Sequence, residues 1–220
     1  ANYKNVQALF SSLATVEPQV VHKNKDVSIS ASRNAFNHLM TPVKSNAVAD
    51  SFIFDTGANL STISESQVNK MNLKMINTKI EVGSSTKINV ESKLAVADSF
   101  YVGDILFEHV VFLVLPDSQL TFPQMNYAIK GIIGFPVIHK LGEVHLYKNG
   151  IINVPAKHKE NKLANMFFEG LNPVVKVFSE NDTLLFTFDT GAKGYELSMK
   201  YFKEHEKSVK SKGELQTNQT

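Results

Sequence analysis

Cysteine is absent from all 220 residues, which removes disulfides, thiolate nucleophiles and cysteine-ligated zinc from consideration. Arginine is nearly absent as well: Arg33 is the only one among 23 basic residues. Bidentate recognition of phosphate and guanine favours arginine, and the net charge is only +2, so no nucleic-acid partner is expected. Long apolar runs are also missing. The longest candidates, Val110–Leu115 and Gly131–Ile138, fall well short of the roughly 18 residues of a membrane span. They read as buried strands, and no membrane span is expected in the chain. The seven histidines are scattered, with no His-Glu-x-x-His or paired spacing, and Glu204-His205-Glu206 reads as a solvated helix face. No metal and no other cofactor is expected. Serines are plentiful but never sit in a Gly-x-Ser-x-Gly elbow.

What is present is average for a folded protein: 43% hydrophobic and 20% charged residues in 24.5 kDa, enough for one or two cores. Val6, Leu9, Phe10 and Leu13 share one face of a short helix. From Val27 the pattern changes to short β-rich runs: Val27–Ser30, Ser51–Phe54, Lys79–Val82, Lys87–Val90, Ile105–Leu115, Gly131–Ile133 and Gly142–Tyr147. Turn clusters such as Lys44-Ser45-Asn46, Gly83-Ser84-Ser85, Pro116-Asp117-Ser118 and Lys148-Asn149-Gly150 separate them. A helix is expected behind Ser64, a natural N-cap, and another near Pro136. The expected class is mainly β, a barrel or sandwich with short helices.

The chain then repeats itself. Phe52-Ile53-Phe54-Asp55-Thr56-Gly57-Ala58 returns 134 residues later as Phe186-Thr187-Phe188-Asp189-Thr190-Gly191-Ala192. Thr41-Pro42-Val43 leads into the first copy and Asn172-Pro173-Val174 into the second. Each copy passes through Ile63 or Leu197 to a serine, Ser64 or Ser198, that opens a charged helical stretch. A given tetrapeptide arises by chance about once in 10⁴ to 10⁵ positions, so two copies in matched contexts point to a lobe used twice. This divides the chain into an N-terminal helical segment (1–26), a first lobe (27–156), a polar linker (157–166) and the start of a second lobe (167–220). By the first lobe's measure, the second would run on roughly 65 residues past Thr220.

Each copy is an apolar strand that ends on an aspartate, with glycine allowing a tight turn past it. Alone, such an aspartate is an ordinary turn residue. Two held a few ångströms apart cannot both ionise cheaply, so the pair keeps one proton over a broad pH range. One carboxylate can then take a proton from water while the other donates to a carbonyl oxygen, which hydrolyses an amide without a covalent intermediate. Two other readings stand beside this one: a non-catalytic peptide-binding module with an incomplete second lobe, and a structural domain whose aspartates only close turns.

Residues 52–64 and 186–198 resemble the active-site segments of the aspartic proteases, in particular the retropepsin-like branch and its two-lobed bacterial relatives. Ile132-Ile133-Gly134, followed by Phe135-Pro136-Val137-Ile138, resembles that family's hydrophobic-hydrophobic-glycine element. The likeness covers about 27–156 as one lobe and 167–205 as the opening of another. It implies closed β-barrel lobes with short helices, related by a pseudo-two-fold repeat. It further implies a catalytic dyad of Asp55 and Asp189, and Thr56 and Thr190 reaching across the lobe interface. Gly57 and Gly191 would give close backbone approach, and the hairpin around Val82–Asn89, with Gly83-Ser84-Ser85-Thr86 at its tip, would form a flap. The implied partner is a peptide or protein substrate. If the second lobe is incomplete, a dimer becomes the alternative route to a full site. Two departures from the pepsin branch stand out. No tyrosine lies in the flap, and Ala58 and Ala192 replace serines that donate to the carboxylates, which implies a less acidic optimum.

Overall fold

The computed structural model describes residues 3–83, 89–159, 164–178, 182–194 and 196–212. The chain runs through α1 (Tyr3–Leu13), β1 (Val20–His22), β2 (Val27–Ser30), β3 (Ser32–Arg33), β4 (Leu39–Ser45), β5 (Val48–Phe54), β6 (Ser61–Ser64) and α2 (Glu65–Lys70). It continues through β7 (Lys74–Gly83), β8 (Asn89–Val102), β9 (Ile105–Leu115), β10 (Thr121–Phe122), β11 (Tyr127–Ala128), β12 (Gly131–Ile133), α3 (Phe135–Lys140), β13 (His145–Leu146) and β14 (Ile151–Val154). The second copy comprises β15 (Met166–Glu169), β16 (Asn172–Phe178), β17 (Thr183–Thr187), α4 (Met199–Glu204) and α5 (Glu206–Lys212). No described helix is long and apolar enough to cross a membrane.

Six strands close on themselves in the order β4–β5–β12–β6–β9–β8 and back to β4. Closure pairs every barrel strand on both sides and leaves no free edge within the ring. The fold is therefore mainly β, a closed barrel with short helices. Phe52, Phe54, Ile63, Phe100, Phe107, Phe112 and Ile133 fill its interior and are fully buried. The rings of Phe52, Phe100 and Phe112 form one cluster with centroids 5.1–6.5 Å apart. Full burial of each phenyl contributes about 1.5–3 kcal/mol, so the strand that delivers Asp55 is anchored from within. β12 lies parallel to β5, pairing Ile132 with Ile53 and Ile133 with Phe54.

Several expectations need correction. The run Gly131–Ile138 is a strand only as far as Ile133, after which Phe135–Lys140 is helical with Pro136 in its first turn. The run Gly142–Tyr147 reduces to His145–Leu146, because Gly142, at φ +78°, ends α3 instead of starting a strand. The proposed flap hairpin forms, with β7 and β8 paired out to Gly83 and Asn89. Its tip, 84–88, lies outside the described residues, as does linker segment 160–163.

Candidate active site

β4 and β5 pair Thr41 with Phe52 and Met40 with Ile53; β16 and β17 pair Val175 with Phe186 and Val174 with Thr187. Adding 134 converts the first register into the second, so the two copies are structurally equivalent. The proline flanks are not: on this register Pro42 corresponds to Lys176, and Pro173 to Leu39. Their match in sequence is out of step by three residues. Downstream the equivalence resumes. Ser64 caps α2 by accepting from the Gln67 amide at 3.3 Å, and Ser198 caps α4 by accepting from the Tyr201 amide at 3.2 Å.

The two Asp-Thr-Gly-Ala loops meet. The Thr56 amide donates to Thr190 Oγ1 at 3.1 Å, and the Thr190 amide donates to Thr56 Oγ1 at 3.0 Å. The Thr56 hydroxyl donates to the Phe188 carbonyl, and the Thr190 hydroxyl to the Phe54 carbonyl at 2.7 Å. Every bond on one side has its counterpart on the other, the pattern of an approximate two-fold relation.

The same relation crosses the carboxyl groups. A methyl built on Gly57 would lie 2.5 Å from Asp189 Cγ, and one built on Gly191 would lie 2.5 Å from Asp55 Cγ. Each glycine therefore makes room for the other loop's carboxyl, which brings the two carboxyl groups to the same place between the loops. Within its own loop, Asp55 Oδ1 accepts from the Gly57 amide at 2.8 Å. Asp189 Oδ1 accepts from the Gly191 amide at 2.8 Å and the Ala192 amide at 3.0 Å. Backbone amides thus supply the donors that side chains at 58 and 192 lack. Asp55 is half-buried and Asp189 exposed. Burial, and then the charge of Asp189, push the Asp55 carboxyl up to about 6 against the bonds from Gly57 and Ala58.

A layer behind the loops holds them in place. The Asp55 amide donates to the Ile133 carbonyl at 3.0 Å, and the Phe135 amide to the Ala58 carbonyl at 2.8 Å. The Gly134 amide donates to the buried Ser61 hydroxyl at 3.0 Å. Any side chain at 134 would enter the backbone of Leu60, whose carbonyl carbon is 2.6 Å from an added methyl. Sequence reasoning missed Ser61. It also missed Asp50, whose carboxylate receives Lys130 at 2.9 Å, Lys70 at 3.2 Å and Gln67 at 3.2 Å. Burial alone would raise the Asp50 carboxyl, but its bonds from Lys130, the Ser51 amide and Lys70 hold it below the ordinary range. Asp50 thereby ties α2 and the entry to β12 onto the strand that carries Asp55. Neither residue had a visible signal, since each depends on partners distant in sequence. A third missed contact joins the copies: the Phe168 ring packs 5.4 Å from Phe135 and 5.2 Å from His139.

Beside Asp189 opens a depression of about 1100 Å³ lined by Phe186, Leu197 and Tyr201, with Lys193 and Glu196 at its polar side. Ile63 is fully buried under β9 and β12, whereas its counterpart Leu197 is 47% exposed. The described residues of the second copy form only the sheet β15–β16–β17 and two helices, with no strands in those covering positions. Among the described residues, no group of three or more His, Asp or Glu is arranged to hold a metal ion.

The model of an aspartyl protease family matches residues 41–137, which span the barrel from within β4 into the first turn of α3. No curated protein sequence matches the chain. Among solved structures, a retropepsin-like aspartic protease from Rickettsia conorii is similar at 14% identity and a TM-score of 0.40, over 63% of this chain and 94% of that one.

Proposed function

We propose that this chain, whose barrel segment 41–137 matches an aspartyl protease family, is an aspartic protease that hydrolyses peptide bonds with Asp55 and Asp189 as one acid–base pair. The observation that carries this reading is the crossing of the two carboxyls, each seated in the space left by the opposite glycine. Asp55, its carboxyl raised to about 6, holds the proton of the resting pair. A water between them gives one proton to Asp189 as its oxygen attacks the scissile carbonyl carbon, while Asp55 protonates the carbonyl oxygen. The resulting gem-diol collapses by breaking the C–N bond. One diol proton passes to Asp55 and Asp189 gives its proton to the leaving nitrogen, so a carboxylic acid and an amine leave and the starting pair is restored. No acyl-enzyme forms, and no metal or redox partner is needed for the balance. The substrate is an extended peptide lying between the two loops, with the β7–β8 hairpin closing over it.

The pH profile tests the proton assignment. Because Asp55 is raised to about 6, the proton needed for the acid role is lost above that pH. kcat/KM on an unstructured peptide should form a bell in weak acid, falling about tenfold per pH unit on its alkaline side above about pH 6. Mass spectrometry of the products should find new amino termini. A plateau through pH 8 would refute Asp55 as the acid.

A further inference from the structure

α1 carries Leu9 and Leu13 against Ile76, Leu94, Val111, Leu113 and Leu115. These five residues do not belong to the barrel interior. Ile76 of β7 pairs with Leu94 of β8, and Leu94 pairs with Leu113 of β9. The three therefore form one row across the sheet, facing opposite to the inward row that contains Ala95 and Phe112. On an uncovered barrel that outer row would meet water, yet Leu94 is fully buried and Leu113 is 6% exposed. The helix is their cover. Phe10, on the same helix, remains 67% exposed, so among the described side chains of α1 Leu9 and Leu13 make the contact.

The row lies at the root of the hairpin. β8 pairs with β9 only from Lys93 onward, while Asn89–Ser92 pair with β7 alone. The distal arm, Ile80–Gly83 with Asn89–Ser92, thus projects past the barrel wall as a two-stranded ribbon. Immediately above Ile76 the β7–β8 register shifts, with an irregularity between Ile76 and Ile80. Such a break in the ladder bends a strand and weakens local pairing. An arm with a break at its base pivots there unless the root is fixed, and here the root is fixed from outside by α1.

We propose that Leu9 and Leu13 are positioning residues that clamp the root of this hairpin and so set how firmly its arm closes on substrate. The functional half rests on the peptidase reading above; the mechanical half does not. The helix holds the arm's resting angle, and the chemistry at the two aspartates is unchanged by it. Its effect falls on substrate capture, not on bond cleavage.

The test compares wild-type protein with Leu9→Gln plus Leu13→Gln, and with the milder Leu9→Ala in case the double variant folds poorly. Hydrogen exchange should accelerate at least about tenfold at arm amides such as those of Val82 and Val90, while Phe100 and Phe112 in the barrel stay protected. KM for a peptide should rise several-fold with kcat within about twofold, and Leu9→Met plus Leu13→Met should restore both readouts. Exchange that accelerates equally throughout the barrel, or does not change in the arm, would overturn the clamp. A fall in kcat at constant KM would overturn the assignment to capture. If the wild-type protein cleaves nothing while the arm responds as expected, the peptidase reading fails and the clamp stands.

Discussion

Asp55→Asn is expected to lower kcat/KM by about 10³-fold or more while making the protein more stable at neutral pH. The loss follows because one remaining carboxylate cannot both donate to the carbonyl and accept from water. The gain in stability follows from linkage. A carboxyl raised from 3.8 to about 6 by folding binds its proton more tightly in the native state than in the unfolded chain. Its stabilising effect is complete below about pH 4 and disappears as the pH rises through about 6. Above that pH the wild-type protein holds a partly buried charge facing a second carboxylate. Asparagine never ionises and so removes the penalty, which we put at about 1–2 kcal/mol after allowing for water at the site. For a chain of this size that is a rise of a few degrees in Tm at pH 7, shrinking toward zero at pH 4. Thermal unfolding of both proteins at the two pH values, beside a peptidase assay, checks each half separately. A Tm difference independent of pH would show that Asp55 does not carry the proton.

Gly57→Ala and Gly191→Ala should be nearly as damaging, for steric reasons. Each added methyl falls 2.5–2.7 Å from all three heavy atoms of the opposing carboxyl, a separation that real carbon contacts do not adopt. The threonine cross-bonds fix both loops, so the carboxyl must be the part that moves. A displacement near 1 Å at reacting groups costs about 10²-fold in rate, and overpacking adds about 1–3 kcal/mol of destabilisation. We expect kcat to fall by about 10²–10³ for either variant. Gly194 supplies the control, because the same methyl there meets nothing within 4 Å. Gly194→Ala should keep wild-type kcat. Equal activity in all three variants would mean that the loops do not interlock as described.

The candidate site, two loops that meet, could be read from sequence because its information is local and occurs twice. Seven residues around each aspartate, the alternating phenylalanines and the capping serines all lie on short stretches that superpose after one offset. What escaped notice depends on distant partners. Ser61-Thr62-Ile63-Ser64 looks like a loop by composition, yet it is fully buried because β9 and β12 flank it on both sides. β4 carries Pro42 in mid-strand, a residue that argues against a central strand. Polar residues such as Glu91, Ser92 and Asp98 hid the length of β8. The apparent Pro42–Pro173 match misled in the opposite sense, as a local similarity that pairing contradicts. Ion pairs such as Asp50 with Lys130, and ring contacts between the copies such as Phe168 with Phe135, exist only once the chain has folded.

The central claim is that one chain supplies both halves of the pair. It is tested most directly by measuring the specific activity of wild-type protein and of Asp189→Asn across a wide range of protein concentration. The structure's crossed loops predict that wild-type specific activity is independent of concentration and that Asp189→Asn is inactive throughout. An Asp189→Asn variant that keeps wild-type activity, with specific activity rising as chains associate, would contradict the account and assign the chemistry to Asp55 residues from two copies.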